Sequence, residues 1–157
     1  MSEKSIFDYQ IEILNNELKS IDGAIRQHDE ITKSVKNWAV VTWTASLGFT
    51  LKELALNPYI ALTAVIPLVF WLVDGSFRRI QRSFIARLEE IELFFNSESF
   101  KVAASTGSAI DFPLLARRRK IDKFKNTLLG AMCFRSVALL YVGLAACSIA
   151  VWYTRLG

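Results

Sequence analysis

Apolar and polar residues are segregated along this chain into stretches of different period. From residue 3 to 34 the apolar positions recur in alternating steps of four and three, at Phe7, Ile11, Leu14, Leu18, Ile21, Ile25 and His28, and Thr32 and Val35 continue the row. That spacing predicts one long helix with a heptad seam. Ile6 and Ile13 widen the stripe, as in a helix that packs in a bundle. Beyond it the pattern changes to nearly continuous apolar runs at 35–51 and 59–73, separated by Lys52, Glu53 and the Asn57-Pro58 turn. Two such runs joined by so short a connection predict an antiparallel transmembrane hairpin over 35–73. Pro67 is expected to kink its second helix.

One-sided periodicity returns over 74–96, where Phe77, Ile80, Phe84, Leu88, Ile91 and Phe95 mark a cytoplasmic amphipathic helix. Residues 97–113, SESFKVAASTGSAIDFP, hold no period and read as a mobile loop. Residues 114–127 read as a basic interfacial helix, and 128–157 as a third transmembrane helix, centred on 136–152, with a short C-terminus. The expected fold is all-α: three transmembrane helices with a cytoplasmic, coiled-coil-like helical stalk that begins at 1–34.

Composition sharpens this picture in one respect. A hydrophobic share of 52% and a mean hydropathy of +0.29 are high for a water-soluble domain, and their clustering into runs points to lipid. The first 30 residues are polar and lack the apolar core of a signal peptide, so the chain is expected to start in the cytoplasm. The net charge of +4 accompanies no nucleic-acid-binding motif. Its distribution carries the information. Lys4, Lys19, Arg26, Lys33 and Lys36 precede the first run, Lys52 alone lies in the hairpin loop, and Arg155 alone follows the last run. The rest of the 19 Lys and Arg lie in 74–135. The positive-inside rule then places the N-terminus inside, on the cytoplasmic side, and the C-terminus outside. Trp38 and Trp71 fall at the inner interface, and Tyr59, Trp152 and Tyr153 at the outer one.

Candidate functional residues are sparse. Thr42, Ser46 and Thr50, at i, i+4 and i+8, put hydroxyls on the first span. They would line a wet face in an oligomer, or else bond across helices or to carbonyls of their own helix. Asp74 and Arg78, one turn apart, read as an interfacial ion pair. His28 ends the stalk seam of Ile11, Leu14, Leu18, Ile21 and Ile25, as a protonation switch, a register-setting residue or a tolerated polar one. Arg117, Arg118, Arg119 and Lys120 read as an anchor to anionic lipid headgroups. Gly143 with Cys147, and Ala146 with Ala150, give small-residue spacing suited to close helix contact. Cys133 and Cys147 suggest neither a disulfide framework nor a zinc site. No nucleophile–base pair, metal-ligand constellation or paired carboxylate points to catalysis, so neither an enzyme nor a cofactor is expected.

The order of elements over residues 3–96 carries a resemblance. A long N-terminal helix, a short two-span hairpin and a charged helix opening WLVDGSFRRIQRSFIARLEEIE resemble the two-span membrane effectors of bacterial anti-phage systems, including the SLATT type. The resemblance implies an oligomeric inner-membrane effector that permeabilises the membrane on a signal from a soluble cytoplasmic sensor. Its expected partners are lipids, further copies of itself and that sensor. The alternative is a non-conducting membrane adaptor whose stalk docks a soluble protein.

Overall fold

A computed structural model describes residues 5–114, 130, 132 and 135–156. Among these residues every regular element is helical: α1 (Ile6–Lys52), a 3₁₀ segment (Leu54–Ala64), α2 (Val65–Phe95), α3 (Glu98–Thr106) and α4 (Arg135–Leu156). The chain divides into two compact units. One comprises Met1–Gln27 with Ile80–Asp122, and the other His28–Arg79 with Lys123–Gly157.

α1 starts at a capping box. The Ser5 hydroxyl accepts from the Asp8 backbone N–H at 3.1 Å, and Asp8 Oδ2 accepts from the Ser5 N–H at 3.1 Å. From there the helix runs 47 residues without a break. The boundary at 34/35 expected between stalk and first span is therefore not a break in secondary structure. The seam above it and the apolar run below it share one backbone period. The same holds at 73/74, since α2 passes through Asp74 for 31 residues.

In the first unit the heptad seam is filled from within the chain. Leu14 and Ile21 of α1 are buried against Ile91 and Phe94 of α2, Ala103 of α3 and Ile110 beyond it. Ile11, Leu18 and Ile25 pack at the edge of this core with Phe84, Leu88, Phe95, Phe100, Phe112 and Leu114. The segment 97–113, expected as a loop, instead contains α3. Ser97 caps it by accepting from the Phe100 N–H at 3.2 Å, and Gly107 closes it in the left-handed region at φ 66°. A Ser start and a Gly stop bound this nine-residue helix, in which only Ala103 is buried.

The second unit contains both helical stretches long and apolar enough to cross a membrane, found within Ala55–Phe95 and at Val137–Arg155. Only 33% and 17% of their apolar windows are buried, where the core helix of a soluble protein would be mostly buried. The lower half of α1 does not reach that apolarity. Pro67, expected to kink the second span, is the third residue of α2. The first-turn N–H groups of a helix have no partner within it, so Pro67 breaks no bond internal to α2. It stands at the junction where the 3₁₀ segment gives way to the α-helix. Pro58 lies inside that 3₁₀ segment.

The second unit buries polar as well as apolar side chains. Its wholly or nearly buried residues include Thr32, Thr63, Asp74 and Ser148, beside Ala39, Ile60, Val137 and Tyr141. Its surface carries Val41, Phe49, Leu62, Val65, Val69, Leu72, Leu139, Val142 and Ile149. In water so many exposed large apolar side chains would favour association or aggregation.

Candidate functional site

Two polar clusters occupy the interior of the second unit. In the first, the Trp43 indole N–H donates to Ser148 Oγ at 2.8 Å and the Thr63 hydroxyl donates to the same oxygen at 3.0 Å. Thr63 Oγ1 also lies 2.7 Å from the Ile60 carbonyl, and Ser148 Oγ lies 3.3 Å from the Leu144 carbonyl. One hydroxyl thus joins α1, the 3₁₀ segment and α4. In an apolar surrounding each of these groups would be costly alone, and together they satisfy one another.

The second cluster centres on Asp74, which is fully buried. Tyr141 of α4 donates its hydroxyl to Asp74 Oδ2 at 3.2 Å, and among the described residues Oδ1 has no hydrogen-bond partner. Lys36 of α1 and Arg78 of α2 are the cations whose charge acts on this carboxyl. Nearby, the Trp71 indole donates to the Met132 carbonyl at 3.1 Å, joining α2 to the approach of α4. Tyr141 and Ser148 are seven residues apart, so both face inward from one side of α4 about 10 Å along its axis.

The expected Asp74–Arg78 ion pair is replaced by this tyrosine contact. Arg78 Nη1 instead lies 4.0 Å from Asp29 Oδ1 on α1. A carboxyl turned into the bundle meets α4, whereas an arginine one turn later extends along α2 to the neighbouring helix.

The hydroxyl row of α1 is also divided. Thr42 is exposed, while Ser46 and Thr50 are half-buried. Steps of four advance roughly 40° each around a helix, so Thr42 and Thr50 stand roughly 80° apart. The Thr50 hydroxyl bonds back to the Ser46 and Leu47 carbonyls at 3.0 and 2.9 Å. The inward position near Thr42 belongs to Trp43. His28 is half-buried with its ring 6.0 Å from that of Phe77. Gly143, Ala146, Cys147 and Ala150 all lie on the exposed side of α4, so no helix among the described residues covers the small-residue face. The run Arg117, Arg118, Arg119 and Lys120, and Cys133, lie outside the described residues.

In the first unit the most constrained group is Arg87. Its Nε is 2.8 Å from Glu17 Oε1, its Nη1 is 3.0 Å from Glu90 Oε2, and an Nη2 hydrogen bond reaches the Pro113 carbonyl at 2.7 Å. The guanidinium carbon stands 5.0 Å from the centre of the Phe112 ring. Burial disfavours the charge on Arg87, but the hydrogen bonds and fields of Glu17 and Glu90 outweigh it, so this arginine holds its proton more tightly than usual. Three residues back, Ile110 is clipped at both backbone groups. Its N–H donates to Gln10 Oε1 at 2.6 Å and its carbonyl accepts from Gln10 Nε2 at 3.5 Å.

Thr63, Ser148, Tyr141 and Gln10 were not singled out by sequence reasoning. The usable signal was the seven-residue spacing of Tyr141 and Ser148 inside an apolar run. Among the described residues no group of three or more His, Cys, Asp or Glu is placed to hold a metal ion. Comparison with known proteins found no matching family model, no matching curated protein and no matching solved structure.

Proposed function

We propose that the chain is an integral membrane protein of the bacterial cytoplasmic membrane, with three membrane segments at 35–51, 59–73 and 136–152. Its copies assemble into an effector that permeabilises the membrane on a signal received by the helical unit in the cytoplasm. The observation that carries the membrane reading is the distribution of side chains in the second unit: hydrogen-bonded polar clusters inside, large apolar side chains outside. The charge asymmetry of the flanks supports an inside N-terminus and an outside C-terminus.

Assembly is supported by the unequal outer faces of the three segments. α2 and α4 turn Leu, Val and Ile outward. α1 exposes Asn37, Thr42, Thr44 and Gly48 among its apolar residues, and it is the segment that falls short of spanning apolarity. The least apolar face is the one that gains most from meeting another copy or water rather than lipid. In a ring, α1 would face the centre.

A second reading has an observation of its own. The Trp43–Ser148–Thr63 and Asp74–Tyr141 contacts are closed within one chain, so a single copy offers no polar path across the membrane. That favours a non-conducting adaptor whose helical unit docks a soluble partner. The two readings separate on one preparation. The effector reading expects a symmetric multimer in nanodiscs and loss of membrane potential on induced expression. It also expects the leak to fall when Thr42, Ser46 and Thr50 all become Val in a stably expressed variant. A monomer with an intact membrane potential and a co-purifying soluble protein is the adaptor's outcome.

A further inference from the structure

Asp74 has no role in either reading, yet it is the most unusual group in the membrane unit. Its side chain is fully buried among α1, α2 and α4, with one oxygen bonded to Tyr141 and the other without a partner among the described residues. An ionised carboxylate with an unbonded buried oxygen is disfavoured. A neutral carboxyl relieves that cost, because the proton sits on the free oxygen. The charges that face Asp74 work in the opposite direction. Lys36 is on α1 and Arg78 on α2, with Asp29 of α1 drawing Arg78 away at 4.0 Å. Tyr141 is the titratable group from α4, and the 3₁₀ segment Leu54–Ala64 contributes no charged residue.

We propose that Asp74 is a proton-binding site of the membrane unit, with Lys36 as the group that competes with the proton. In the arrangement described here Oδ1 is the position the proton takes. When Asp74 loses that proton to water, the flexible Lys36 side chain supplies the missing partner by swinging its ammonium onto Oδ1. When Asp74 takes the proton up, Lys36 withdraws toward the headgroups. Only one proton moves, and no other bond is made or broken. Tyr141 stays on Oδ2 in both states and fixes which oxygen is free. The exchange is therefore a local rearrangement at the junction of α1, α2 and α4. A buried ionisable residue with an unpartnered oxygen, beside the end of a membrane segment, is a candidate for function.

The proposal rests on the packing of the second unit and on its membrane setting, and it needs no conduction. The test is infrared difference spectroscopy on the full chain, labelled with ¹³C-aspartate in nanodiscs and titrated with acid. A carboxylic-acid carbonyl band is expected to grow on acidification and to be missing from Asp74→Asn. Tyr141→Phe should move that band to higher frequency by removing a hydrogen bond. Lys36→Met should let Asp74 hold its proton about tenfold more tightly, a shift of about one pH unit in the midpoint. The last two variants keep the carboxyl, so they read the site even where Asp74→Asn fails to fold. The proposal is overturned by a spectrum without an Asp74 band at any pH, by a band that pH does not change, or by a midpoint that ignores Lys36. Failure of the membrane reading shows itself separately, as a chain that stays monodisperse without detergent.

Discussion

Trp43 donates its indole N–H to the hydroxyl of Ser148 at 2.8 Å, across 105 positions of sequence. Because Thr63 donates to the same oxygen, this serine is the single acceptor that joins three segments. Hydrogen bonds between membrane helices contribute modestly on average, since the separated helices find other partners. A shared acceptor is an exception, because its loss strands the Trp43 N–H and leaves Thr63 only the Ile60 carbonyl within its own segment.

Ser148→Ala is therefore expected to cost about 1–3 kcal/mol, more than Trp43→Phe alone. The two changes should also combine non-additively, since each removes the same contact. Thermal unfolding of the detergent-solubilised chain, followed by circular dichroism for the two single variants and the double, measures this. Strict additivity would show that the contact does not hold the segments together.

Arg87 governs the first unit in a different way. Its side chain and that of Glu17 are each 10% exposed, and its donors are divided among two carboxylates and the Pro113 carbonyl. Removing one partner of a buried pair leaves the other charge uncompensated, so Arg87→Ala should cost about 3–5 kcal/mol. Arg87→Lys should recover little of it, since a point charge cannot reproduce the fork or the stacking over Phe112. Pairing Glu17→Gln with Arg87→Met should be milder than Arg87→Ala, because no lone charge remains at Glu17. Hydrogen exchange at the amides of α3 and at Ile110 is the local readout, and it should accelerate most in Arg87→Ala.

Much of this architecture was legible in the amino-acid order, and the misses share one physical origin. Periodicity located the helices because Ile11, Leu14, Leu18 and Ile21 repeat with the turn of a helix, and the apolar runs at 59–73 and 136–152 fall in the two stretches long and apolar enough to cross a membrane. Neither signal says which helix a polar group will meet. Asp74 was assigned to Arg78 on local spacing, and a residue 67 positions away took it instead. The Thr42, Ser46 and Thr50 row looked straight in sequence, but steps of four drift around the helix and bring Trp43 inward in place of Thr42. α3 was passed over because Ser, Ala and Gly dominate 97–113 and Pro113 closes it, although Ser97 and Gly107 are an ordinary start and stop. Capping is a local signal and was readable. The pairing partners of Asp74, Trp43 and Gln10 are tertiary and were not.

The seam residues distinguish packing within the chain from packing between copies. Leu14 is wholly buried against residues of its own chain, so Leu14→Ala should destabilise the first unit by about 2–5 kcal/mol. The mass of the purified assembly should stay the same, because the buried seam is not available to a second copy. A coiled coil between chains would give the reverse: a lower mass with the helical unit of each copy still folded. Native mass spectrometry from nanodiscs, set beside the unfolding midpoint, separates the two.

The arrangement of copies can be read with a cysteine at Gly48. This residue is exposed on α1, and a Cβ added there meets nothing within 4 Å, so Gly48→Cys is sterically permitted. Helix propensity also favours it, since glycine inside a helix is unfavourable relative to nearly every residue except proline. Cys147 is exposed on α4 and provides an internal comparison. If α1 faces the centre of an assembly, Gly48→Cys in a Cys133→Ser, Cys147→Ser background should cross-link into dimers under mild oxidation in native membranes. Native Cys147, tested with Cys133→Ser alone, should remain monomeric because α4 faces lipid. Cross-linking through Cys147 with none at position 48 would turn the assembly around. It would place the small-residue face of Gly143, Ala146 and Ala150 between copies and move the hydroxyls of α1 to the periphery, where they could line nothing.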